Sequence, residues 1–233
     1  MTSQEPKVLV FSPTYEGKDY IFDKFWNAIQ SINYPNWEFI MIDNTDGLHY
    51  THKLRQRGVP VVHVERGENS RQALSNAQNY AREKAISEGF DYILSVESDL
   101  IVTPDVITRL VNYDKPVVGA TYYIGHEFKI PCIFFVQQNI YTGDTRTRLM
   151  QPSQVKSFLN TGLRRVHGMG VGCTLIRRDI FTRFMFWHDE RFPNKHSDVY
   201  FYMELENNGI PVYVDTDYII EHYPSKWEDV KDR

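Results

Sequence analysis

The chain has 233 residues, 42% of them hydrophobic, and a formal net charge of −4. At roughly 100–200 residues per domain this length suits one large or two small domains with a full core, and we interpret it as one compact domain. The acidic balance excludes a global attraction to nucleic acid or to an anionic membrane, although a local basic patch could still provide one.

The first half of the chain alternates predicted strands and helices. Strands are runs of β-branched and aromatic residues, predicted over 7–12, 38–44, 59–65, 91–97 and 116–123. Helices show apolar or small residues at helical spacing and are predicted over 19–32, 70–88 and 104–113. This alternation predicts an α/β fold in which helices pack on both faces of a mainly parallel central sheet.

The second half has strands interrupted by polar, glycine-containing and basic segments, which is typical of a region that shapes a substrate pocket. The segment 142–165 is predicted to be a mobile lid or a solvated charge run, and its basic residues are Arg146, Arg148, Lys156, Arg164 and Arg165. Helices are predicted over 178–187 and 197–209, and a last pair of strands over 210–224. Asn208-Gly209 is expected to end the second helix.

An acidic pair follows the fourth predicted strand directly, as Glu97-Ser98-Asp99. Residues i and i+2 of an extended chain project to the same side, so both carboxylates can present oxygen ligands to a hard divalent cation. Thr103 as N-cap and Pro104 at the first helical position predict a helix start just after them. The pair therefore lies at the carboxyl edge of a strand, where open α/β sheets bind ligands.

The end of the first strand, SPTYEG over 12–17, contains no glycine-rich phosphate loop. Neither G-x-G-x-x-G nor a P-loop pattern occurs in the sheet region, so dinucleotide-binding and P-loop interpretations lose their main support. What remains, in chain order, is Pro13-Thr14, Asp43 after the second strand, the acidic pair, Asp198 and His222.

In that order these motifs resemble the GT-A glycosyltransferases, above all glycosyltransferase family 2, over nearly the whole chain. There the first strand ends in a Pro-Thr/Ser-Tyr-like turn, the second in an Asp-containing turn and the fourth in a DxD motif, here Glu97-Ser98-Asp99. The resemblance implies a GT-A (Rossmann-like) fold with a small antiparallel acceptor-side region. It divides the domain into a nucleotide-sugar half, 1–125, and an acceptor and catalytic half, 126–233.

The resemblance also implies the residues that bind a nucleoside-diphosphate sugar. Asp43 would accept a hydrogen bond from the base, and Arg71 and Asn76 would contact the diphosphate. Ser75-Asn76 stands where the family has Arg-Asn. The full donor set is Pro13, Thr14, Tyr15, Glu16, Asp43, Arg71, Asn76, Glu97 and Ser98.

A divalent cation, Mn²⁺ or Mg²⁺, is implied between the donor phosphates and the protein. Asp99 aligns with the last acid of DxD, His222 with a third ligand of some GT-A enzymes, and Glu97 replaces the first Asp. Glu97 could reach the ribose or a metal-bound water instead of the metal. Carboxylate, imidazole and phosphate ligands together suit Mn²⁺.

The implied catalytic residue is Asp198, at the start of the predicted helix 197–209. It stands where the family carries a general base, which takes the acceptor hydroxyl proton in an inverting transfer. The helix dipole favours the ionised form of Asp198. In a retaining enzyme Asp198 would position the acceptor instead. Gly170 in a glycine-rich stretch, Trp187 and His188 are the implied acceptor-binding residues.

Each candidate also has a structural interpretation. Asp43 could cap a turn with Asn44 and Gly47, Asp198 could be a helix N-cap, and His222 could be structural. The aromatic clusters around Phe184 and Phe201 are expected to be core rather than a binding platform.

The sequence thus predicts a metal-dependent hexosyl- or pentosyltransferase that moves a sugar, favouring a UDP-sugar, to a hydroxyl acceptor. The acceptor could be a glycan, a protein, a small molecule or a modified nucleic-acid base. A catalytically silent nucleotide-sugar or glycan-binding module, or a sugar-nucleotide nucleotidyltransferase, is the alternative.

Cellular location is predicted from the two cysteines and from hydropathy. Cys132 and Cys173 are too few for a disulfide framework, which favours a reducing, cytoplasmic location. No apolar run approaches the roughly 20 residues of a membrane-spanning helix, and the N-terminus lacks a signal-peptide core.

Overall fold

A computed structural model of the chain describes residues 5–125, 129–138, 145–189, 191 and 196–224. The strands are β1 (Val8–Thr14), β2 (Trp37–Asp43), β3 (Val61–His63), β4 (Tyr92–Val96), β5 (Leu100–Ile101), β6 (Val117–Thr121), β7 (Tyr123–Ile124), β8 (Ile130–Pro131), β9 (Ile133–Gln138), β10 (Thr145–Leu149), β11 (Leu163–Val166), β12 (Gly168–Met169), β13 (Cys173–Arg177), β14 (Val212–Ile219) and β15 (Glu221–His222). The helices are α1 (Phe22–Gln30), α2 (His49–Gln56), α3 (Ser70–Ser87), α4 (Val106–Val111), α5 (Pro152–Phe158), α6 (Arg178–Phe181) and α7 (Ser197–Asn207), with a 3₁₀ helix at Glu16–Ile21.

Eight strands form the central sheet in the order β11-β14-β6-β13-β4-β1-β2-β3. β13 runs antiparallel to β4 and β6, and β11 runs antiparallel to β14; the other neighbours are parallel. A separate antiparallel sheet contains β10, β9 and β12. The mainly parallel sheet and the small antiparallel region are therefore confirmed.

A hydrophobic core lies on each face of this sheet. The small-residue stripe of α3 packs on one face, where Ala77, Ala81 and Ala85 are fully buried with Leu9 and Phe11. Alanines bring the helix axis close to the strands, because no long side chain separates the two backbones. The other core is formed around α1 and α4. In the described part of the chain, no helix has the length and apolar character needed to cross a membrane.

The predicted helix 178–187 is wrong beyond its first turn, because α6 ends at Phe181. The segment that follows is held extended by Asn79 of α3. Its side chain donates to the Phe186 carbonyl at 2.6 Å and accepts from the Phe186 amide at 2.9 Å. Phe184 and Phe186 are buried while Met185 is exposed, which is the alternation of an extended chain.

The segment 142–165 contains strands and a helix where the structure describes it, so its role as a mobile lid stays a prediction; residues 142–144 lie outside the described part. β10 pairs with β9, and β11 pairs with β14 at the edge of the central sheet. Between them α5 begins with a capping box formed by Gln151 and Gln154 and has proline in its first turn. Basic residues of the predicted lid therefore belong to regular secondary structure.

Two smaller boundaries also differ from the prediction. α4 begins at Val106 with Asp105 as N-cap, because the Thr103 hydroxyl is bonded to the Asp105 carboxylate at 2.5 Å and to the Tyr218 hydroxyl at 2.7 Å. α2 was absent from the prediction, since Tyr50 and Leu54 are its only large buried apolar residues and one pair gives too short a pattern. As predicted, α7 ends at Asn208-Gly209, where Gly209 has a φ of 68°.

Candidate functional site

The loops after β1 and β2 lie side by side at the carboxyl edge of the sheet. The Asn44 amide donates to the Thr14 carbonyl at 2.9 Å, and the Glu16 amide donates to the Thr45 hydroxyl at 2.8 Å. Thr14 is buried, and Pro13 and Tyr15 are half-buried. These contacts bring the predicted donor residues 13–16 beside the turn that contains Asp43. The Glu16 side chain is exposed and pairs with His49.

Asp43 is fully buried, and each of its carboxylate oxygens accepts a hydrogen bond inside the protein. Oδ1 accepts from the Thr45 amide at 2.9 Å, and Oδ2 accepts from the Thr51 hydroxyl at 2.6 Å. Asp43 therefore stabilises its own turn, as the structural interpretation expected. Each carboxylate oxygen has a second acceptor position, so recognition of a base stays a prediction.

Glu97, Asp99 and His222 form one cluster, in which a ligand atom of each lies within 4.8 Å of the others. A two-stranded sheet brings them together, because β15 pairs with β5 and the Tyr223 amide donates to the Asp99 carbonyl at 2.9 Å. His222 Nε2 lies 3.4 Å from Asp99 Oδ2. The three predicted metal ligands are thus adjacent although they are far apart in the sequence.

The His222 ring is oriented by the backbone of β7. Its Nδ1 lies 2.6 Å from the Tyr123 carbonyl oxygen, which can only accept, so Nδ1 carries the proton in this bond. Nε2 then faces Asp99. A histidine that donates one ring N–H to a carbonyl and presents the other nitrogen is the usual arrangement of a metal-binding imidazole.

Three buried oxygens at this edge have no hydrogen-bond partner among the described residues. They are Asp99 Oδ1 and the hydroxyls of Ser98 and Ser12. An unsatisfied buried polar group costs about 1–3 kcal/mol, so such groups usually indicate a bound ligand, ion or water. The donor set and the free Asp99 oxygen therefore fit a divalent cation.

Lys18 also enters the cluster, through an ion pair between its ammonium and Asp99 Oδ2. It lies in the 3₁₀ helix that follows Tyr15, and sequence reasoning missed it. The signal was a lysine two residues after Glu16, the last of the predicted donor residues in this turn. Its contact crosses from the loop after β1 to the loop after β4, so no local pattern reveals it.

The two acids of the cluster differ in pKa. Burial and the neighbouring Asp99 charge raise the pKa of Glu97 to about 7. Burial also opposes ionisation of Asp99, but the bond from His222 and the charge of Lys18 hold the pKa of Asp99 below its usual value. Asp99 is therefore the member of the pair that ionises more readily, and Glu97 is the one that holds a proton more readily.

Asp198 lies in the first turn of α7 and is half-buried. Burial raises the pKa of the Asp198 carboxyl to about 6. The Asp198 charge also contributes to the raised pKa of Glu97, so the predicted base lies near the predicted metal ligands. A carboxylate with a pKa near the working pH is suited to general-base catalysis.

Tyr122 and Cys132 lie near Asp198, whose charge adds to the raised pKa of both groups, and Gly170 packs against them. Tyr122 is hydrogen-bonded to the Cys132 thiol, and its hydroxyl lies 3.3 Å from the Gly172 amide. The Tyr122 ring meets the His222 ring edge-on at a centroid distance of 5.5 Å. A Cβ at position 170 would lie 1.9 Å from the Tyr122 hydroxyl oxygen, so glycine is required there for close packing.

Replacing Gly170 with alanine should therefore destabilise the protein by about 1–3 kcal/mol, because the methyl group overpacks a buried site. Tyr122→Phe removes the nearest atom that the new methyl group meets, whereas Cys132 Sγ at 2.7 Å and Tyr122 Cζ at 2.9 Å remain. The double variant should consequently lose less stability than the sum of the single variants. Urea denaturation of the four proteins measures this coupling, and strictly additive losses would contradict the assigned contact.

Arg71 and Asn76 both lie on α3 but have different surroundings. Asn76 donates to the Glu65 carbonyl at 3.1 Å and so ties the helix to the loop before it. Arg71 Nε is buried and has no hydrogen-bond partner within the described part of the chain. Together with burial, the charge of Arg71 lowers the pKa of His196, the residue before α7. The Arg71 side chain therefore lies near His196, at the start of the helix that carries Asp198.

The predicted acceptor residues Trp187 and His188 are not grouped around Asp198. Trp187 stacks on Tyr200 at a centroid distance of 4.2 Å and donates to Glu204 at 2.9 Å. Tyr200 and Glu204 follow Asp198 by two and six residues on α7. At 3.6 residues per turn they lie roughly 200–240° around the helix axis from Asp198, on the opposite side of the helix. His188 Nδ1 lies 3.3 Å from the Ser75 hydroxyl. An acceptor role stays a prediction for Trp187 and His188, and also for Gly170, which packs against Tyr122 and Cys132 near Asp198.

Comparisons with known proteins agree with this architecture. The structure of GalNAc-T7 with UDP, GalNAc and Mn²⁺ is similar with a TM-score of 0.65 and 13% identity, over 94% of this chain and 44% of that one. The mannosyltransferase PcManGT from Pyrobaculum calidifontis, in complex with GDP-Man and Mn²⁺, has a TM-score of 0.60 and 14% identity, over 96% and 59%. At these identities the likeness shows the fold, and it confirms the predicted GT-A fold.

Sequence comparison identifies relatives as well. TuaG of Bacillus subtilis (strain 168), whose name assigns it provisionally to teichuronic acid biosynthesis as a glycosyltransferase, is 35% identical over 105 residues. The match covers 42% of this chain and 38% of TuaG, so the chain spans well under two thirds of that relative. The model of the family described as Glycosyl transferase family 2 matches residues 9–184. The chain belongs to this family.

Proposed function

We propose that this protein is a glycosyltransferase that moves a sugar from a nucleoside-diphosphate donor to a hydroxyl acceptor with the help of a divalent cation. The observation that carries the proposal is the Glu97, Asp99 and His222 cluster, which lies at the carboxyl edge of the sheet beside the loops predicted to bind the donor. Family membership and the nucleotide and Mn²⁺ complexes of the two similar structures support it.

The cation would be held by Asp99 and His222, with Glu97 as a third ligand or as a contact to the ribose. Mn²⁺ is the first choice because two carboxylates and an imidazole suit it, and Mg²⁺ is the alternative. When bound, the ion neutralises charge that develops on the leaving diphosphate. The unpartnered Asp99 oxygen supports this assignment.

The donor would be bound by the loops after β1 and β2 and by α3. In this proposal Pro13, Thr14 and Tyr15 line the nucleotide pocket and Asp43 accepts a hydrogen bond from the base. The free Nε–H of Arg71 supports a contact with the diphosphate, because a buried guanidinium N–H needs an acceptor. UDP remains the favoured nucleotide.

Asp198 would accept the proton of the attacking acceptor hydroxyl, as the base of an inverting transfer. Its position at the start of α7 and its raised pKa support this role. In this proposal the glycine-rich stretch at Gly170 approaches the transferred sugar with its backbone, because the space that a side chain would take is filled by Tyr122. The division into a donor half, 1–125, and an acceptor half, 126–233, follows from these assignments.

A thermal-shift panel of UDP, GDP, CDP and dTDP, each with and without Mn²⁺, tests the proposal. At about 100 times its Kd a nucleotide stabilises the folded state by about 2.7 kcal/mol. For a chain of this size that corresponds to a Tm increase of about 5–10 °C. We expect one nucleotide to produce this shift only with Mn²⁺. If none shifts the Tm under either condition, the proposal is wrong. If one does, slow hydrolysis of the donor by water separates an enzyme from a silent binding module.

A further inference from the structure

Lys18 contacts the same carboxylate that the proposed cation needs. Its ammonium pairs with Asp99 Oδ2, and His222 Nε2 lies 3.4 Å from that oxygen. A monovalent ammonium and a divalent ion repel each other, so an ammonium on Asp99 Oδ2 opposes a cation at the unpartnered Oδ1 of the same carboxylate. The Lys18 ammonium and the proposed cation therefore compete for the Asp99 carboxylate.

The two partners of this ion pair differ in mobility and exposure. The Lys18 side chain is 22% exposed, whereas that of Asp99 is 2% exposed. Asp99 is also fixed by its backbone, whose carbonyl accepts from the Tyr223 amide at 2.9 Å. Lysine has a flexible four-carbon stem, so the ammonium can leave Asp99 whereas the carboxylate cannot follow it.

Lys18 is also close to the loop proposed to bind the donor. Its amide donates to the Tyr15 carbonyl at 2.9 Å, so it lies one turn beyond the nucleotide loop. The neighbouring acid Asp19 is not its partner, because Asp19 pairs with Lys53 at 2.7 Å. A diphosphate bound beside this loop would offer Lys18 oxygens of higher negative charge than Asp99 does.

We propose that Lys18 makes divalent-cation binding depend on the donor nucleotide. Its ammonium competes with the cation for Asp99, and the diphosphate of the donor takes the ammonium over, which frees Asp99 for the cation. The inference rests on the proposed function, because it needs both ligands. Coupling of this kind is reciprocal, so the cation must tighten nucleotide binding by the same factor.

The test is titration of Mn²⁺ by electron paramagnetic resonance, which counts free ion and requires no turnover. Wild type, Lys18→Met and Lys53→Met are compared at constant pH, each with and without UDP and, separately, GDP. Lys53→Met removes the same charge from an exposed ion pair nearby and controls for net charge. Lys18→Gln, with a Tm measurement of each protein, guards against a folding defect in the methionine variant.

Without nucleotide, Lys18→Met and Lys18→Gln should bind Mn²⁺ about tenfold tighter than wild type, and Lys53→Met should match wild type within about twofold. The nucleotide should tighten Mn²⁺ binding of wild type at least about fivefold, within the usual range of coupling between two ligands. That enhancement should be smaller in both Lys18 variants, because only the direct contact of the diphosphate with the cation remains there.

Two results would overturn the inference. The first leaves the proposed function intact, whereas the second also contradicts the proposed metal site. If wild type binds Mn²⁺ but the Lys18 variants bind it equally or more weakly without nucleotide, Lys18 is not a competitor and the proposed function stands. If no protein binds Mn²⁺ under any condition, the proposed metal site and the role of Lys18 both fail.

Discussion

Replacing Asp198 with asparagine should lower the rate of sugar transfer by about 10²–10⁴-fold, the usual contribution of a general base. Asparagine has nearly the same shape as aspartate but cannot accept a proton at neutral pH. The measurement is single-turnover transfer with saturating donor. Glu206→Gln, an exposed carboxylate on the same helix, is the matched control and should retain wild-type activity.

The pH dependence of the rate of sugar transfer by the wild-type protein should reflect ionisation of the Asp198 carboxyl. Because burial raises the pKa of Asp198 to about 6, the base is ionised above that pH and protonated below it. The rate should therefore be constant above about pH 7 and fall about tenfold per unit below pH 6. A profile that stays flat down to pH 5 would remove Asp198 as the base.

Stability should change in the opposite direction to activity in Asp198→Asn. A carboxyl whose folded pKa is raised binds protons more tightly in the folded state, so the fold loses stability as pH rises from about 4 to about 6. Asparagine does not ionise, so the variant does not lose this stability as the pH rises. At pH 8 the variant should be more stable by about 1–3 kcal/mol, and the gain should vanish near pH 4. Denaturation at both pH values separates this effect from a general change in packing.

Replacing Asp99 with asparagine should weaken Mn²⁺ binding by at least about 100-fold. Changes to residues that only support metal ligands already cost about 10–100-fold, and Asp99 is assigned as a ligand itself. Loss of its charge also leaves Lys18 without the pairing that Asp99 provides. Mn²⁺ titration measures the binding, and the nucleotide-dependent increase in Tm should disappear with it.

Asp105→Asn is the control for this change, since Asp105 is an exposed carboxylate six residues further along the same segment. It should bind Mn²⁺ like the wild type. If Asp99→Asn still shows the full Mn²⁺-dependent stabilisation by nucleotide, the cation lies elsewhere and the cluster is not the metal site.

The sequence predicts those features that repeat along the chain or follow a strand directly. The buried strands and the alanine stripe of α3 show the period of their structure, so their positions agree with the predictions to within about two residues at most ends. Glu97 and Asp99 were identified because they follow β4, and His222 because it ends a late strand. The structure places all three in one cluster.

What the sequence does not predict depends on single long-range contacts. Phe184 and Phe186 fit a helical pattern locally, and only the bonds from Asn79 hold that segment extended. The contacts of Trp187 with Tyr200 and Glu204 are also absent from any local pattern, and its acceptor role stays a prediction. Lys18 of the loop after β1 contacts Asp99 of the loop after β4. A contact between two loops produces no periodic pattern in the sequence.

The pairing of β15 with β5 has a consequence for how the protein is made. Glu97 and Asp99 precede His222 by more than 120 residues, and β15 alone brings the histidine to them. During synthesis a nascent chain that already contains β1 to β4 holds both acids but not the imidazole. The proposed cation site is therefore completed late, after most of the central sheet has been synthesised, and we expect incomplete chains to bind the cation more weakly than the full chain.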